Sequence, residues 1–253
     1  MSKYTKYINY YYVIVSMTDA LRSNEASAKA FKEILELRSE PVAVKVVKDN
    51  EDFPKGYSIP DKQLSYCQAV MRARHGEKFM MPLDTHLCNV GASALGMMPR
   101  PEKVASGEFH FMQGLHDNVA AVKKMIDEGA MIPFKTKGTV VCPLKDANFE
   151  PDVVVFVDIP ERIYWFEPLH TSEKGGRVRY TTAPFQAACV DVTATPMITG
   201  EPNISVGCMG CRKRTDLRPD EMVIGVPGQS IGKMAETLKR YKEDVLPKAN
   251  RTG

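Results

Sequence analysis

The sequence predicts one α/β or α+β domain, in which a mixed sheet is flanked by helices. Short β-branched runs such as 42–47, and the continuous apolar run 152–157, are typical of buried strands. Longer segments carry apolar residues at helical spacing. No repeat and no flexible linker divides the 253 residues, and the strands are too few for a barrel of eight βα units. We therefore expect a single domain over residues 17–253.

The first sixteen residues form a tyrosine-rich extension. It contains half of the chain's tyrosines, namely Tyr4, Tyr7, Tyr10, Tyr11 and Tyr12. Its apolar part is too short for the core of a signal peptide, and no small-residue cleavage site follows. We interpret residues 1–16 as a frayed strand or a segment for self-association into a homo-oligomer. Met17 is an alternative start of the chain.

The first half of the domain is expected to alternate helix and strand. A helix over 18–40 ends before Pro41 and is followed by a strand over 42–47. Asp61 is a candidate cap for a helix that runs to about His75. A short helix is expected to begin at or beside Asn89, within a segment of small residues.

The second half continues this pattern. Segment 152–157 should be a central strand, and segment 186–192 is compatible with strand or helix. The other expected elements are helices over 118–129, 159–170 and 231–245, the last ended by Pro247, and strands over 139–142 and 222–227.

Composition limits the classes of function. The 34 basic and 31 acidic residues give a net charge of +3, which argues against a nucleic-acid partner. No apolar run approaches about 20 residues, so no membrane span is expected. Without an export signal we expect a cytoplasmic protein. Its six cysteines should then stay reduced and act as core residues, metal ligands or catalytic thiols.

A Cys-x-x-Cys pair carries the strongest chemical signal. Cys208 and Cys211 lie in a glycine-containing turn, and the cations Arg212, Lys213 and Arg214 follow directly. Two thiolates at this spacing bind one metal ion or one edge of an iron–sulfur cluster. Neighbouring cations favour the thiolate by lowering the pKa of the thiol. Two ligands do not complete a site, so others must come from elsewhere in the chain.

Two earlier cysteines are candidates for the missing ligands. Cys67 lies inside a predicted helix, and Cys88 precedes the segment of small residues. A helix that begins after Cys88 would place its thiolate at a helix N-terminus, which stabilises an anion. Cys142 and Cys189 lie in apolar runs and are interpreted as buried hydrophobic residues.

These positions predict an iron–sulfur cluster, most simply [4Fe-4S], for small-molecule redox or sulfur chemistry. Its ligands would be Cys67, Cys88 and Cys208, with Cys211 as the fourth candidate. Without Cys211 one iron would stay open to a substrate, whereas four thiolates favour electron transfer. The partner would be a small molecule or an electron carrier.

Nearby cations are candidates for binding the cofactor or an anionic substrate. We assign this role to Arg74, on the helix of Cys67, and to Arg212. Lys213 and Arg214 are expected to be solvated surface residues.

Two alternatives stay open. In the first, Cys88, Cys208, Cys211 and His86 hold a zinc ion that stabilises a non-enzymatic binding module. In the second, the protein is a metal-free thiol enzyme, in which Cys208 or Cys211 attacks an electrophile beside Arg212.

An ordered series of motifs resembles a known family. The series is Pro41-Val42-Ala43-Val44-Lys45, Cys67-Gln68-Ala69-Val70, Ala73-Arg74-His75-Gly76, Cys88 ahead of Leu95-Gly96, Pro151-Asp152-Val153-Val154, Thr199-Gly200-Glu201-Pro202-Asn203-Ile204-Ser205, Gly207-Cys208-Met209-Gly210-Cys211-Arg212 and 220–228. It is similar to the archaeal and bacterial family called domain of unknown function 169, over roughly residues 35–238. The resemblance implies a single cytoplasmic domain, often in anaerobes. It puts Cys67, Cys88 and Cys208 at motif positions and allows a serine in place of Cys211.

Overall fold

The structure is a computed structural model that describes residues 3–133 and 135–249, with side chains from residue 19 onward. In this part of the chain one six-stranded sheet has the order β2-β3-β1-β4-β6-β5. The strands are β1 (Val42–Lys48), β2 (Phe79–Pro82), β3 (Thr136–Pro143), β4 (Val153–Asp158), β5 (Asn203–Ser205) and β6 (Met222–Pro227). The predicted fold class is confirmed, and β4 lies inside the sheet as expected.

Neighbouring strands of the sheet all pair antiparallel, where a mixed sheet was expected. The apolar pattern of a strand shows that it is buried, but it does not show whether the strand runs parallel or antiparallel to its neighbours. Direction is set by the connections, since β1 pairs with both β3 and β4 and separates these two consecutive strands.

The described part of the chain contains twelve α-helices. They are α1 (Lys3–Ile34), α2 (Tyr66–Ala73), α3 (Asn89–Ala94), α4 (Glu102–Ala105), α5 (Glu108–Phe111), α6 (Val119–Glu128), α7 (Pro160–Ile163), α8 (Phe166–Thr171), α9 (Thr195–Thr199), α10 (Met209–Arg214), α11 (Ile231–Asp244) and α12 (Leu246–Ala249). A π-helix spans Ala187–Ala194. Among the described residues, none of the helices is both long and apolar enough to cross a membrane.

The sheet buries a different core on each face, because successive strand residues point to opposite sides. On β1, Val42, Val44 and Val46 belong to one core, and Ala43 and Val47 belong to the other. We call these the thiol face and the helix face, respectively. The thiol face includes three of the cysteines, and the helix face is covered by α1 and α11.

The helix face is packed around three aromatic rings. Phe31 of α1 lies 5.1 Å from Phe156 of β4 and 5.6 Å from Phe166 of α8, measured between ring centroids. The Phe156 and Phe166 rings are 4.4 Å apart. Such clustered rings add to the stabilisation that their burial provides.

The predicted helix over 18–40 is part of a longer one. The backbone is helical from Lys3 to Ile34, so the interpretation of residues 1–16 as a frayed strand is wrong where the structure describes them. The spacing of Tyr4, Tyr7 and Tyr11 by three and four residues fits this helix. Self-association and the start at Met17 stay predictions, since the tyrosine side chains lie outside the described ones.

Several boundaries differ from the predicted ones for local reasons. Ser65, and not Asp61, caps the helix of Cys67, through a capping box with Gln68. The helix expected over 159–170 is divided into α7 and α8. Pro247 does not end the last helical segment but lies inside the short α12.

Candidate functional site

A cavity of about 680 Å³ opens on the thiol face. Five cysteine side chains line it, and they come from four separate parts of the chain: Cys67, Cys88, Cys189, Cys208 and Cys211. All five are free thiols. The structure therefore brings together the four cysteines that the sequence predicts, and it adds Cys189.

Cys67 is the second residue of α2, close to the helix N-terminus. Its Sγ atom lies 3.2 Å from the Ser65 hydroxyl oxygen and exchanges a hydrogen bond with the Cys211 thiol. The bond with Cys211 is the main reason that the pKa of Cys67 falls to about 6. The same bond, together with burial, raises the pKa of Cys211. The two thiols thus form an interacting pair in which the pKa of Cys67 is lowered and that of Cys211 is raised.

Cys208 is held at the start of α10 by a tight turn. Gly207 has a φ of +85°, and a Cβ atom there would lie 2.5 Å from Leu217 Cδ2, so the turn requires glycine. The Cys208 Sγ atom accepts a hydrogen bond from the Cys211 backbone N–H at 3.2 Å, and the Ala187 amide also bonds to it. Burial nevertheless raises the pKa of this thiol.

Cys88 precedes α3, as the sequence predicts. The buried residues that follow it are small, and this lets α3 approach the π-helix closely. A Cβ atom at Gly91 would already lie 3.9 Å from the Cys189 Sγ atom. The predicted run of small residues thus serves to bring Cys88 and Cys189 to one cavity.

Cys189 belongs to the π-helix, in the segment that the sequence left undecided. Gln186 precedes this helix with a φ of +67°, which is unusual for a residue with a side chain. Burial raises the pKa of Cys189 well above the ordinary value, and the nearby thiols Cys88 and Cys208 add to the effect. Strained backbone and π-helical turns often occur at functional sites.

Sequence reasoning missed Cys189 because its neighbours are apolar. One signal was present: Ala187 and Ala188 precede it, much as small residues follow Cys88. No periodicity in the sequence reveals a π-helix, so the direction of this thiol could not be read from the pattern.

The structure does not bring Arg74 to the cavity. Its guanidinium is buried, where Nη1 lies 3.0 Å from Glu221 Oε2 and Nη2 lies 2.8 Å from Asp216 Oδ2. Asp216 follows α10, and Arg74 follows α2 directly. Arg74 therefore joins the helix of Cys67 to the segment that carries Cys208 and Cys211.

Arg212 also lies outside the lining of the cavity. Its guanidinium donates to the backbone carbonyls of Val206, Arg218 and Glu221, which holds the chain around α10. Its neighbours Lys213 and Arg214 line the cavity instead. They are exposed as expected, but at the mouth of the site.

Comparison with known proteins shows which family the chain belongs to. The pattern of domain of unknown function 169, described as "Uncharacterised ArCR", matches residues 30–237. The chain belongs to this family. It is also 30% identical to "Uncharacterized protein MJ0308" of Methanocaldococcus jannaschii over 219 residues, which is 86% of this chain and 94% of the relative. No solved structure matches the chain.

The cavity includes the three cysteines that the sequence resemblance put at motif positions. Cys67, Cys88 and Cys208 all line it. Cys142 lies on the helix face, where its Sγ atom is 3.9 Å from the Tyr57 hydroxyl oxygen and burial raises its pKa to about 12. Its interpretation as a buried hydrophobic residue fits this position.

His86 is the candidate zinc ligand that lies apart from the thiols. It is buried outside the lining of the cavity, and burial lowers its pKa to about 4. Within residues 3–133 and 135–249, no three or more His, Cys, Asp or Glu side chains are arranged to hold one metal ion. Cys88, Cys208 and Cys211 line the cavity together, and His86 does not join them.

Proposed function

We propose that this protein binds an iron–sulfur cluster, most simply [4Fe-4S], for small-molecule redox or sulfur chemistry. Cys67, Cys88 and Cys208 would be three of its ligands. The observation that carries the proposal is the convergence of five thiols, from four parts of the chain, on one cavity. Cysteine thiolates are the usual ligands of such clusters, and these ligands need not be close in sequence.

The donor set favours a cluster over a single zinc ion. Zinc needs four donors within roughly 2.0–2.3 Å of one point, and one of the four candidate zinc ligands, His86, lies outside the lining of the cavity. A cluster is a larger body whose ligands bind its separate corners, so its thiolates are spread more widely. Backbone amides also bond to the Cys208 sulfur, and such hydrogen bonds tune a cluster.

The fourth ligand has two candidates. Cys211 interacts with Cys67 and Cys208, and Cys189 lies near Cys88, Cys208 and Cys67. When bound, such a cluster would supply one-electron transfer, or a Lewis-acidic iron if one corner lacked a thiolate. The protein itself would hold the cluster, exclude water from it on the buried side and admit a small molecule through the mouth.

One observation favours the metal-free thiol enzyme. It points to Cys67 as the nucleophile, whereas the sequence indicated Cys208 or Cys211. Burial raises the pKa of Cys208 and contributes to the raised pKa of Cys211. Cys67 has the lowered pKa and the Ser65 hydroxyl beside its sulfur. A nucleophile in this cavity would therefore be Cys67.

Anaerobic purification tests the proposal directly. The protein should be brown, absorb broadly near 400 nm and contain about four irons and four sulfides per chain. Colourless protein without iron, in which Cys67 alone reacts rapidly with iodoacetamide at neutral pH, would instead support the thiol enzyme.

The fourth ligand is found by comparing two variants. Cys211→Ala and Cys189→Ala should differ, with one of them losing most of the iron and the other keeping it. If both variants keep four irons and an unchanged spectrum, three thiolates hold the cluster and one iron is open.

A further inference from the structure

The cavity extends beyond its thiols to a second wall. Phe109, His110, Gln113 and Phe185 line this wall. A volume of about 680 Å³ is in the range of small-molecule sites, and a [4Fe-4S] core contains only eight inorganic atoms. The proposed cluster would therefore leave room for a ligand between the thiols and this wall.

His110 is a buried polar residue on this second wall. Its ring is 4% exposed and is held 4.7 Å from the Phe185 ring and 5.1 Å from the Phe109 ring. The Nδ1 atom has no hydrogen-bond partner among the described residues. Burial lowers the pKa of His110 to about 4, so the neutral ring offers one donor and one acceptor.

Unpaired cations surround the cavity. Lys103, Lys213 and Arg214 line it together with a single carboxylate, Glu102. None of these three cations forms an ion pair within the described part of the chain, although other surface lysines do, as in the 2.6 Å pair of Lys123 with Asp127. Free cations at a concave surface favour an anionic ligand.

Apolar side chains are exposed at the same mouth. Leu87 is 52% exposed, Phe109 40% and Met209 36%, and all three line the cavity. Phe185 continues this surface inward. A ligand that covers these side chains needs an apolar body in addition to its charge.

We propose that this cavity binds a small organic acid with a flat, aromatic body. Lys213 and Arg214 bind its carboxylate at the mouth, and the Phe109 and Phe185 side chains pack against its ring. His110 hydrogen-bonds a polar substituent at the far end of that ring. The proposal rests on the proposed function only for what the thiols then do to the ligand, because binding itself requires no cluster.

Three probes that vary the charge and the ring separately test the class of ligand. Binding of 4-hydroxybenzoate, 4-hydroxybenzamide and acetate is measured by ligand-detected NMR, on the anaerobically purified full chain. We expect 4-hydroxybenzoate to bind at least tenfold more tightly than either of the others, because only it has both the charge and the ring. Equal affinity for the neutral amide would overturn the proposal.

Charge-removing variants test the site. Lys213→Gln combined with Arg214→Gln should weaken binding of 4-hydroxybenzoate at least tenfold. The matched control is Lys239→Gln combined with Arg240→Gln, an adjacent Lys-Arg pair on α11 that does not line the cavity. If both double variants bind the probe equally well, the cations do not form the site.

His110 is tested by the same probe and its deoxy analogue. In the unaltered protein 4-hydroxybenzoate should bind several-fold more tightly than benzoate. In His110→Phe the two should bind alike, with benzoate binding retained as evidence of a folded cavity; His110→Asn serves if that variant does not fold. An unchanged preference in the folded variant would remove His110 from the site.

The outcome is separable from that of the cluster. Iron-free protein that still discriminates the probes supports this ligand class and contradicts the cluster. Iron-loaded protein that binds no probe contradicts this ligand class alone.

Discussion

The two faces of the sheet share the same strands but are built in different ways. On the helix face, α1 and α11 cover the sheet with long amphipathic surfaces, and aromatic rings fill the space between. On the thiol face, short helices, a π-helix and tight turns surround a cavity. Under the proposed function, one face provides stability and the other provides chemistry.

Cys67 of the thiol face and Cys142 of the helix face have different surroundings. Cys142 lies in a closed core, where burial raises the pKa of the thiol. Cys67 lies at a helix N-terminus beside a hydroxyl and a second thiol, and its pKa is lowered. The same residue type is thus a packing residue on one face and a candidate ligand on the other.

The largest effect should come from the aromatic core of the helix face. Phe166→Ala removes a fully buried ring that contacts two others, and we expect it to lower the free energy of unfolding by about 4 kcal/mol. Urea denaturation measures this change. Phe166→Leu is the control and should cost less than half as much. An equal cost for both would indicate that the ring packing is not the source of stability.

Arg74 tests how the two halves of the thiol face are joined. Arg74→Met removes the buried partner of the Glu221 carboxylate, which keeps only the exposed Arg218 side chain and its backbone N–H, and we expect a loss of about 3 kcal/mol in unfolding free energy. Iron content should also fall, because Arg74 connects α2 to the segment after α10.

The control is Arg72→Met, which removes an exposed pair with Glu77 and should cost less than about 1 kcal/mol. If Arg74→Met and Arg72→Met retain equal stability and equal iron, Arg74 does not position the thiols.

His86 should make the protein less stable in acid. Burial lowers its pKa from 6.5 to about 4 in the folded chain, so the unfolded chain binds the proton more readily between these values. Its stabilising contribution is complete above pH 6.5 and is lost as the pH falls towards 4. At pH 5 the loss should be about 2 kcal/mol.

Urea denaturation at pH 7 and pH 5 measures this dependence. His110 titrates in the same direction, so the decisive quantity is the difference from His86→Gln. Between pH 7 and pH 5, the free energy of unfolding of His86→Gln should change by about 2 kcal/mol less than that of the unaltered protein. An equal change in the two proteins would contradict the assignment to His86.

The smallest effect compares an ordinary helix cap with a thiol cap. Asn118 accepts a hydrogen bond from the Ala121 N–H at the start of α6, and Asn118→Ala should cost about 1 kcal/mol. Asn118→Ser should restore most of it. Cys208→Ala also removes a cap, but it should lose iron as well. Equal iron content in Cys208→Ala and Asn118→Ala would show that Cys208 is only a cap.

Sequence patterns predict the two faces unequally. Strands β1, β3, β4 and β6 and helix α11 follow directly from apolar runs and helical spacing, whereas β2 and β5 were not predicted. Cys67, Cys88, Cys208 and Cys211 were found from their small or charged neighbours.

Cys189 was missed, and Arg74 and Arg212 do not line the cavity. The direction in which a thiol of a π-helix points depends on contacts between residues far apart in sequence. The same is true of which carboxylates bind a buried guanidinium. The spacing of apolar residues along the sequence does not reveal such contacts.

The central claim is that the cysteines of the thiol face bind the cluster, and that a cysteine elsewhere in the chain does not. It is tested by the iron content per chain of anaerobically purified Cys67→Ala and Cys142→Ala, one thiol from each face. We predict that Cys67→Ala loses most of its iron and its absorption near 400 nm, whereas Cys142→Ala keeps about four irons. Equal iron in the two variants, or none in the unaltered protein, would contradict the account.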